Sequence, residues 1–578
     1  MKGLSVTRSF VVLILVLSWL SVRGQSQTNV VTWHNDNWRT GENIHETALN
    51  PTNINSPSTF GKICTATTDG QIYAQPLVVS NVTINQLQYS RVVYVVTQND
   101  SVYAFYGGSN GPTCTQLLQT NLLPAGEQPV SCGAIGDKQC GSIAPVVGIL
   151  GTPVIDASTN TMYVVTESQV GNPPTSFVHR LHALDIRTLS TAQEKFGGPV
   201  VINGLSRFSQ KHIQRPGLLL LTHGSLAVNG MVFIGFSKLD GTPGTATGYV
   251  YGYYAQDLQR KPLFLSLAPH GYGAGIWHSG AGLAAGVDSK GGQTYLFLAT
   301  ADGTFDANQP SAPNDDYGDT FLKLPTSLIP IAPASSTTYF TPFNQSCMLA
   351  NDMDFGAGGV MLIPDGTVAT HPYLAIDGGK DGNIYVMDRG TPGGYTGISN
   401  TNLQTIPDSG TDSLCKTPTQ YYSSPAYWNH YIYFTELKGN ITRYRLLGSC
   451  SPGPICTDSP SIVSSAEINL GASPSVSASG LTSGIVWTIA NTLQLAGPYA
   501  ILRAYDAVNL DATNHLKLLW NSAQCPTTHR DRPGYATKFT TPTIANGRVY
   551  IGTQDPSDPT NTRGELDMYG LNPFGACN

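Results

Sequence analysis

Trp277, Asp302, Asp354 and Lys380 are the residues whose types could combine into a reactive site. A tryptophan offers a flat π-face, carboxylates offer hard oxygens to a cation such as Ca²⁺, and an ammonium can steady a developing negative charge. Each also has a plain structural reading. Trp277 in Gly275-Ile276-Trp277 could be a core aromatic, and Asp302 in Ala301-Asp302-Gly303 a turn residue. Asp354, close to Asp352, could serve as a hydrogen-bonding device at the start of a strand, and Lys380-Asp381-Gly382 reads as a hairpin turn.

Other groupings carry less. The acidic run Asn314-Asp315-Asp316-Tyr317-Gly318-Asp319 could hold Ca²⁺ but lacks the spacing of an EF-hand loop, so a solvated turn is its first reading. His278 could move a proton or sit satisfied in the core. His34, Trp38 and Arg39 could edge a ligand site, although a structural clasp suits them better. No G-x-S-x-G elbow, H-E-x-x-H or P-loop occurs, which weighs against hydrolase, protease and nucleotide chemistry.

What must position these residues is a repeat. Eight times a β-branched or aromatic run is followed by a second strand with the pattern apolar-aromatic-apolar. The second strands contain Tyr103, His182, Tyr251, Leu322, Tyr385, Thr442, Ala504 and Met568, and the runs before them lie at 92–97, 162–166, 231–236, 294–300, 372–377, 431–435, 484–489 and 548–553. Third runs precede several of these, at 151–156, 225–229 and 541–545. One such unit cannot bury its own apolar faces, whereas eight in a ring can. The expected fold is all-β, an eight-bladed β-propeller. The repeats recur every 57 to 79 residues or so, longer than compact blades of about 40–50, so the excess must lie in loops.

Composition agrees. The chain has 578 residues, of which 12% are charged, and 61 Gly with 38 Pro supply turns rather than helices. A net charge of −6 with no basic stripe speaks against nucleic acid as a partner. Residues 1–24 read as a signal peptide, with Lys2 and Arg8 ahead of an apolar run too short for the ~20 residues that span a bilayer. No later stretch approaches a membrane span. Ten cysteines fit an oxidising compartment, with Cys132–Cys140 and Cys450–Cys456 the expected short disulfide loops. A secreted protein follows, periplasmic in a Gram-negative host, and Asn81, Asn99, Asn344 and Asn440 would accept glycans in a eukaryotic one. Residues 25–71 form an N-terminal segment, and Phe60-Gly61-Lys62-Ile63-Cys64-Thr65 within it would add a strand to the last blade and close the ring; residues 72–578 form the propeller.

Signatures such as Ala183-Leu184-Asp185 and Ala504-Tyr505-Asp506 resemble the repeats of the pyrroloquinoline quinone (PQQ) propellers, the superfamily of the quinoprotein alcohol dehydrogenases. The run from Trp33 to Asn43, Trp-His-Asn-Asp-Asn-Trp-Arg-Thr-Gly-Glu-Asn, looks like the opening motif of a secreted subgroup of mostly unassigned function. The resemblance implies a PQQ stacked on Trp277, a calcium ion ligated by Asp302 and Asp354, Asp354 as general base and Lys380 against the quinone oxygens. It departs in three ways. No two cysteines are adjacent, so the family's disulfide lid is missing, with Cys140 alone in that region. The family's glutamate ligand has at best Asp240 near its place. No Cys-x-x-Cys-His encodes an attached haem, so electrons would pass to an external acceptor. Two functions stay open: an oxidoreductase of an alcohol or sugar using PQQ and calcium, or a non-catalytic extracellular propeller that binds a protein or glycan partner.

Overall fold

A computed structural model describes residues 27–135, 143–171, 176–202, 212–222, 230–238, 247–308, 315–329, 336–407, 420–437, 439–461, 472–490 and 499–577. Residues 1–24, expected to be a signal peptide, residues 225–229, Cys140 and Asp240 lie outside them. The described residues form eight sheets of four to six strands, one per repeat and antiparallel but for the short strand Glu42–Asn43, which joins blade 7 in parallel, arranged as an eight-bladed β-propeller. In chain order the innermost strands are Leu77–Ile84, Val154–Asp156, Leu219–Leu221, Ala284–Val287, Met361–Leu362, Ala426–Trp428, Ser475–Ser479 and Thr543–Ala545. The aromatic repeat strands are the third of each blade, for example Phe321–Pro325 in blade 4 and Ile384–Asp388 in blade 5. In blade 3 the inner strand is Leu219–Leu221, upstream of the run at 225–229.

The apolar faces are buried between neighbouring blades. Between blades 4 and 5, directly beside the candidate residues, Ala284, Phe297, Phe321, Phe355, Val360 and Tyr385 pack together with essentially no exposure. Burying each large side chain stabilises the ring by roughly 1.5–3 kcal/mol, which is why alternating aromatics specify this fold so strongly. A polar device recurs on the same interfaces. Tyr94, Tyr163, Tyr433 and Tyr550 each sit on a second strand and donate a hydrogen bond to a carbonyl in the later part of the third strand of the next blade or just after it: Ile186, Ala255, Ala507 and Gly107. The last of these joins blade 8 to blade 1.

Phe60–Thr68 pairs antiparallel with the last repeat strand, Gly564–Leu571, as the outermost strand of blade 8. Cys64 in that strand is bonded to Cys114 in blade 1, so the seam is also covalent. Cys450–Cys456 and Cys525–Cys577 are the other described disulfides, Cys132 is disulfide-bonded too, and no described cysteine is free.

The motif from Trp33 to Asn43 is a structural clasp, as its residues suggested, and its reach is wider than the sequence showed. The chain around it passes the inner strand of every blade in turn. Val30 pairs with Val78, and Val31 O accepts from Ile155 N. Asn37 Nδ2 donates to Leu220 O, while Asn37 O, Trp38 O, Thr40 O and Gly41 O accept from the amides of Ala285, Leu362, Tyr427 and Val476. Asn43 Nδ2 then donates to Ile544 O in blade 8. Inner strands have one unpaired edge, and this segment supplies the partners that water would otherwise provide. Arg39, fully buried, anchors it with bonds to Thr32 Oγ1 and the carbonyls of Trp33, Asp36, Leu218 and Leu283. The His34 ring nitrogens lie 2.9 and 2.7 Å from the carbonyls of Arg39 and Pro474. These residues are a clasp, with Trp33 packed against Gly217 and Arg39 against Gly282.

Candidate functional site

The site lies where the loops leading into inner strands meet the hairpins between second and third strands. Trp277 precedes the short turn His278–Gly280 and the inner strand of blade 4; Asp302 follows the second strand of that blade, Thr294–Ala299. Asp354 precedes the turn Phe355–Ala357 of blade 5, and Lys380 sits in the hairpin between Leu374–Gly378 and Ile384–Asp388. Trp277, Asp354 and Lys380 line one cavity of about 60 Å³, together with Arg215 from blade 3, Tyr422 from blade 6 and Phe539 from blade 8.

Asp302 adjoins this cavity through Asp354, whose Oδ1 accepts a hydrogen bond from the Asp302 amide at 3.1 Å. The other Asp354 oxygen, Oδ2, lies 2.5 Å from Lys380 Nζ, and Asp352 Oδ1 lies 3.2 Å from the same ammonium. Asp319 completes the group: Asp302, Asp319 and Asp354 each bring an oxygen within 4.8 Å of the others. Asp319 is held by Phe355 N and Gln345 Nε2, at 3.1 and 3.3 Å. Asp302 Oδ1 is buried and bonded to nothing. Burial, with the charges of Asp354 and Asp319 beside it, pushes the Asp302 carboxyl up to about 10, and burial likewise raises Asp319 well above the usual carboxylate range. Burial would lower Lys380, but Asp354, Tyr422 and Asp352 more than offset it and hold the ammonium protonated. Three converging carboxylates with one orphaned oxygen are the donor set a hard divalent cation takes.

Asp319 escaped the sequence reading because it closes an acidic run that looks like a solvated turn. Within that run Asp315 is half-exposed and lies 2.8 Å from the exposed His270, whereas Asp316 is buried. Its signal was position: Gly318-Asp319 leads straight into the third strand of blade 4. Arg215, Tyr422 and Phe539 carry no sequence signal, being single loop residues from blades 3, 6 and 8. His278 is a core residue, its Nε2 accepting from Ala299 N at 3.1 Å and its basicity lowered by burial to about 4.

Trp277 is half-buried, and its face is not free. The Arg215 guanidinium lies 5.6 Å from the Trp277 ring and 4.3 Å from that of Phe539.

No family model and no curated protein matches the chain. Solved structures do. A quinohaemoprotein alcohol dehydrogenase from Pseudomonas putida HK5 superposes with a TM-score of 0.58 at 12% identity, over 95% of this chain and 81% of that one. A europium-containing methanol dehydrogenase gives 0.54 at 13% identity, over 94% and 98% of the two chains. The quinohaemoprotein alcohol dehydrogenase of Comamonas testosteroni gives 0.54 at 13% identity, over 95% and 81%. The fold is that of the quinoprotein dehydrogenase propellers. Likeness at this identity carries architecture and not activity. On this quinoprotein-type ring the carboxylates and Lys380 lie at blades 4 and 5, and the cations and aromatics of blades 3, 6 and 8 close over them.

Proposed function

We propose that the chain is a secreted quinoprotein-type propeller whose axial cavity binds calcium and a small hydroxyl-bearing molecule, an alcohol or a sugar. The observation that carries this is the buried, unbonded Oδ1 of Asp302 beside the oxygens of Asp319 and Asp354. A cation there would relieve both the orphaned oxygen and the mutual repulsion of the carboxylates. Asp302, Asp319 and Asp354 would be its ligands. A hydroxyl entering from the Trp277 side would meet Asp354 as proton acceptor and Lys380 as the neighbouring positive charge. The bonded state of the described cysteines accords with an oxidising compartment.

PQQ is the oxidant that the fold family suggests, but its ring system does not fit here as the side chains stand. Ligand pockets of that class run to about 300 Å³ and more, against about 60 Å³ in this cavity. Arg215 covers the Trp277 face on which a quinone would stack. No chemical step is therefore drawn through it. The same observation favours a second reading, a non-catalytic extracellular propeller that binds a protein or glycan.

Calorimetric titration of the purified protein with calcium, beside Asp302→Asn, tests the cation site. One bound ion lost in the variant supports it; silence in both removes it. Adding PQQ with calcium and following dye reduction by alcohols separates the two readings. Reduction requires that Arg215 move aside, and its absence with calcium binding intact leaves the binding propeller.

A further inference from the structure

Two buried arginines in this molecule are treated in opposite ways. Arg39, fully buried, directs its guanidinium to five oxygens. Arg215 is 8% exposed, and among the described residues no carboxylate or carbonyl accepts from its guanidinium. Its recorded neighbours are the π-faces of Trp277 and Phe539, and the more distant charges of Tyr73 and Asp354. An aromatic face attracts a cation but offers no acceptor to its five N–H groups. Burial lowers the group only to about 10, so it stays charged at neutral pH. Its nitrogens are not sealed in the core but open onto the cavity, where no described side chain offers them an acceptor.

The cavity that Arg215 lines is where the missing partner would sit. Lys380 and Lys538 line it as well, against the single carboxylate of Asp354, which Lys380 already engages. Among the lining side chains cations outnumber carboxylates, with Asp302, Asp319 and Asp352 set behind Asp354 and Lys380. Its volume, about 60 Å³, corresponds to roughly four to six water-sized positions at about 10–15 Å³ each. That admits a ligand of four or five heavy atoms. A guanidinium presents a planar fork that matches a carboxylate.

We infer that the axial cavity takes a small monocarboxylate, of the size of acetate or glycolate, with its carboxylate on Arg215 between Trp277 and Phe539. This deepens the reading of the cavity given above but stands without the cation. A hydroxy acid would join the two, its carboxylate on Arg215 and its hydroxyl toward Asp354.

The test is calorimetric and thermal titration of the full chain with sodium acetate, sodium glycolate and sodium chloride in a buffer free of carboxylates, with Arg215→Met alongside. The expected result is one acetate per chain, weakened about tenfold or more in the variant for each charge-assisted hydrogen bond lost. Arg215→Met should also unfold at the same temperature as the parent or higher in carboxylate-free buffer, because an unpaired buried cation is gone; a purely structural arginine would give a lower midpoint. Should that variant not fold, Arg215→Lys keeps the charge without the fork and should weaken acetate while sparing chloride. No acetate binding, equal binding by Arg215→Met, or chloride binding as tightly as acetate would each overturn the inference. Acetate binding with glycolate gaining nothing from added calcium would sustain it while defeating the hydroxyl-ligand reading.

Discussion

Lys380 Nζ and Asp354 Oδ2 meet at 2.5 Å across the axial cavity, although they come from a hairpin and a strand-leading loop of blade 5. The ammonium therefore holds a carboxylate that a cation would also want. Lys380→Met should tighten calcium binding by at least about tenfold, since at an effective dielectric near 20 a unit positive charge about 5 Å from a divalent ion repels it by roughly 6–7 kcal/mol. Titration calorimetry reads this directly, and weaker binding in the variant would show that Lys380 organises the ligands instead of competing for them.

Asp302 gives a pH dependence of definite sign. Its folded value is raised to about 10 from an ordinary value near 3.8, so without a cation its contribution to stability is complete below pH 4 or so and drains away as pH rises toward 10. Asp302→Asn, which mimics the protonated carboxyl, should be the more stable form at pH 8 without calcium and the less stable with it. Calcium binding must also displace a proton, so its affinity should climb by up to about tenfold per pH unit between pH 6 and 8. Affinity flat across that range would mean that Asp302 is not a ligand.

The seam between blades 8 and 1 should respond to reduction. Cys64–Cys114 spans 50 residues, a loop whose closure is worth about 4 kcal/mol on the chain-entropy account. Cys64→Ser with Cys114→Ser should lower the denaturant midpoint accordingly and leave the axial cavity's calcium affinity unchanged. Coupled loss of both would show that the seam also shapes the site.

Arg39→Met should cost about 3–5 kcal/mol in chemical unfolding, because the carbonyls of Trp33, Asp36 and Leu283 lose a buried, charged donor at once. The contrast with Arg215→Met is the sharper measurement: one buried arginine removed at great cost, the other at none.

The ring was legible because its signal is repeated. Alternating apolar and aromatic residues bury one face per strand, and eight copies of that pattern admit few other folds. The site was legible only in part. Trp277, Asp354 and Lys380 come to one cavity, with Asp302 bonded to Asp354, and all of them lie in blades 4 and 5, where their chain order could be read. Arg215, Tyr422 and Phe539 could not be read, since they are lone loop residues whose nearness is created by closure of the ring. The same limit hid the path of the N-terminal segment. A motif that makes about one hydrogen bond with each of eight blades has no periodic pattern of its own; its partners at Val78, Ile155, Leu220, Ala285, Leu362, Tyr427, Val476 and Ile544 span nearly the whole chain.

That path has a kinetic consequence. The residues from Val30 to Asn43 precede every blade in the chain, yet their last partner is Ile544, and Phe60–Thr68 waits for Gly564–Leu571. Contacts of such sequence separation form slowly because loop closure must precede any gain from them. Until the eighth blade arrives the ring stands open and Phe60–Thr68 has no strand to pair with, and this is the interval in which the chain would be most exposed to pairing with its own copies.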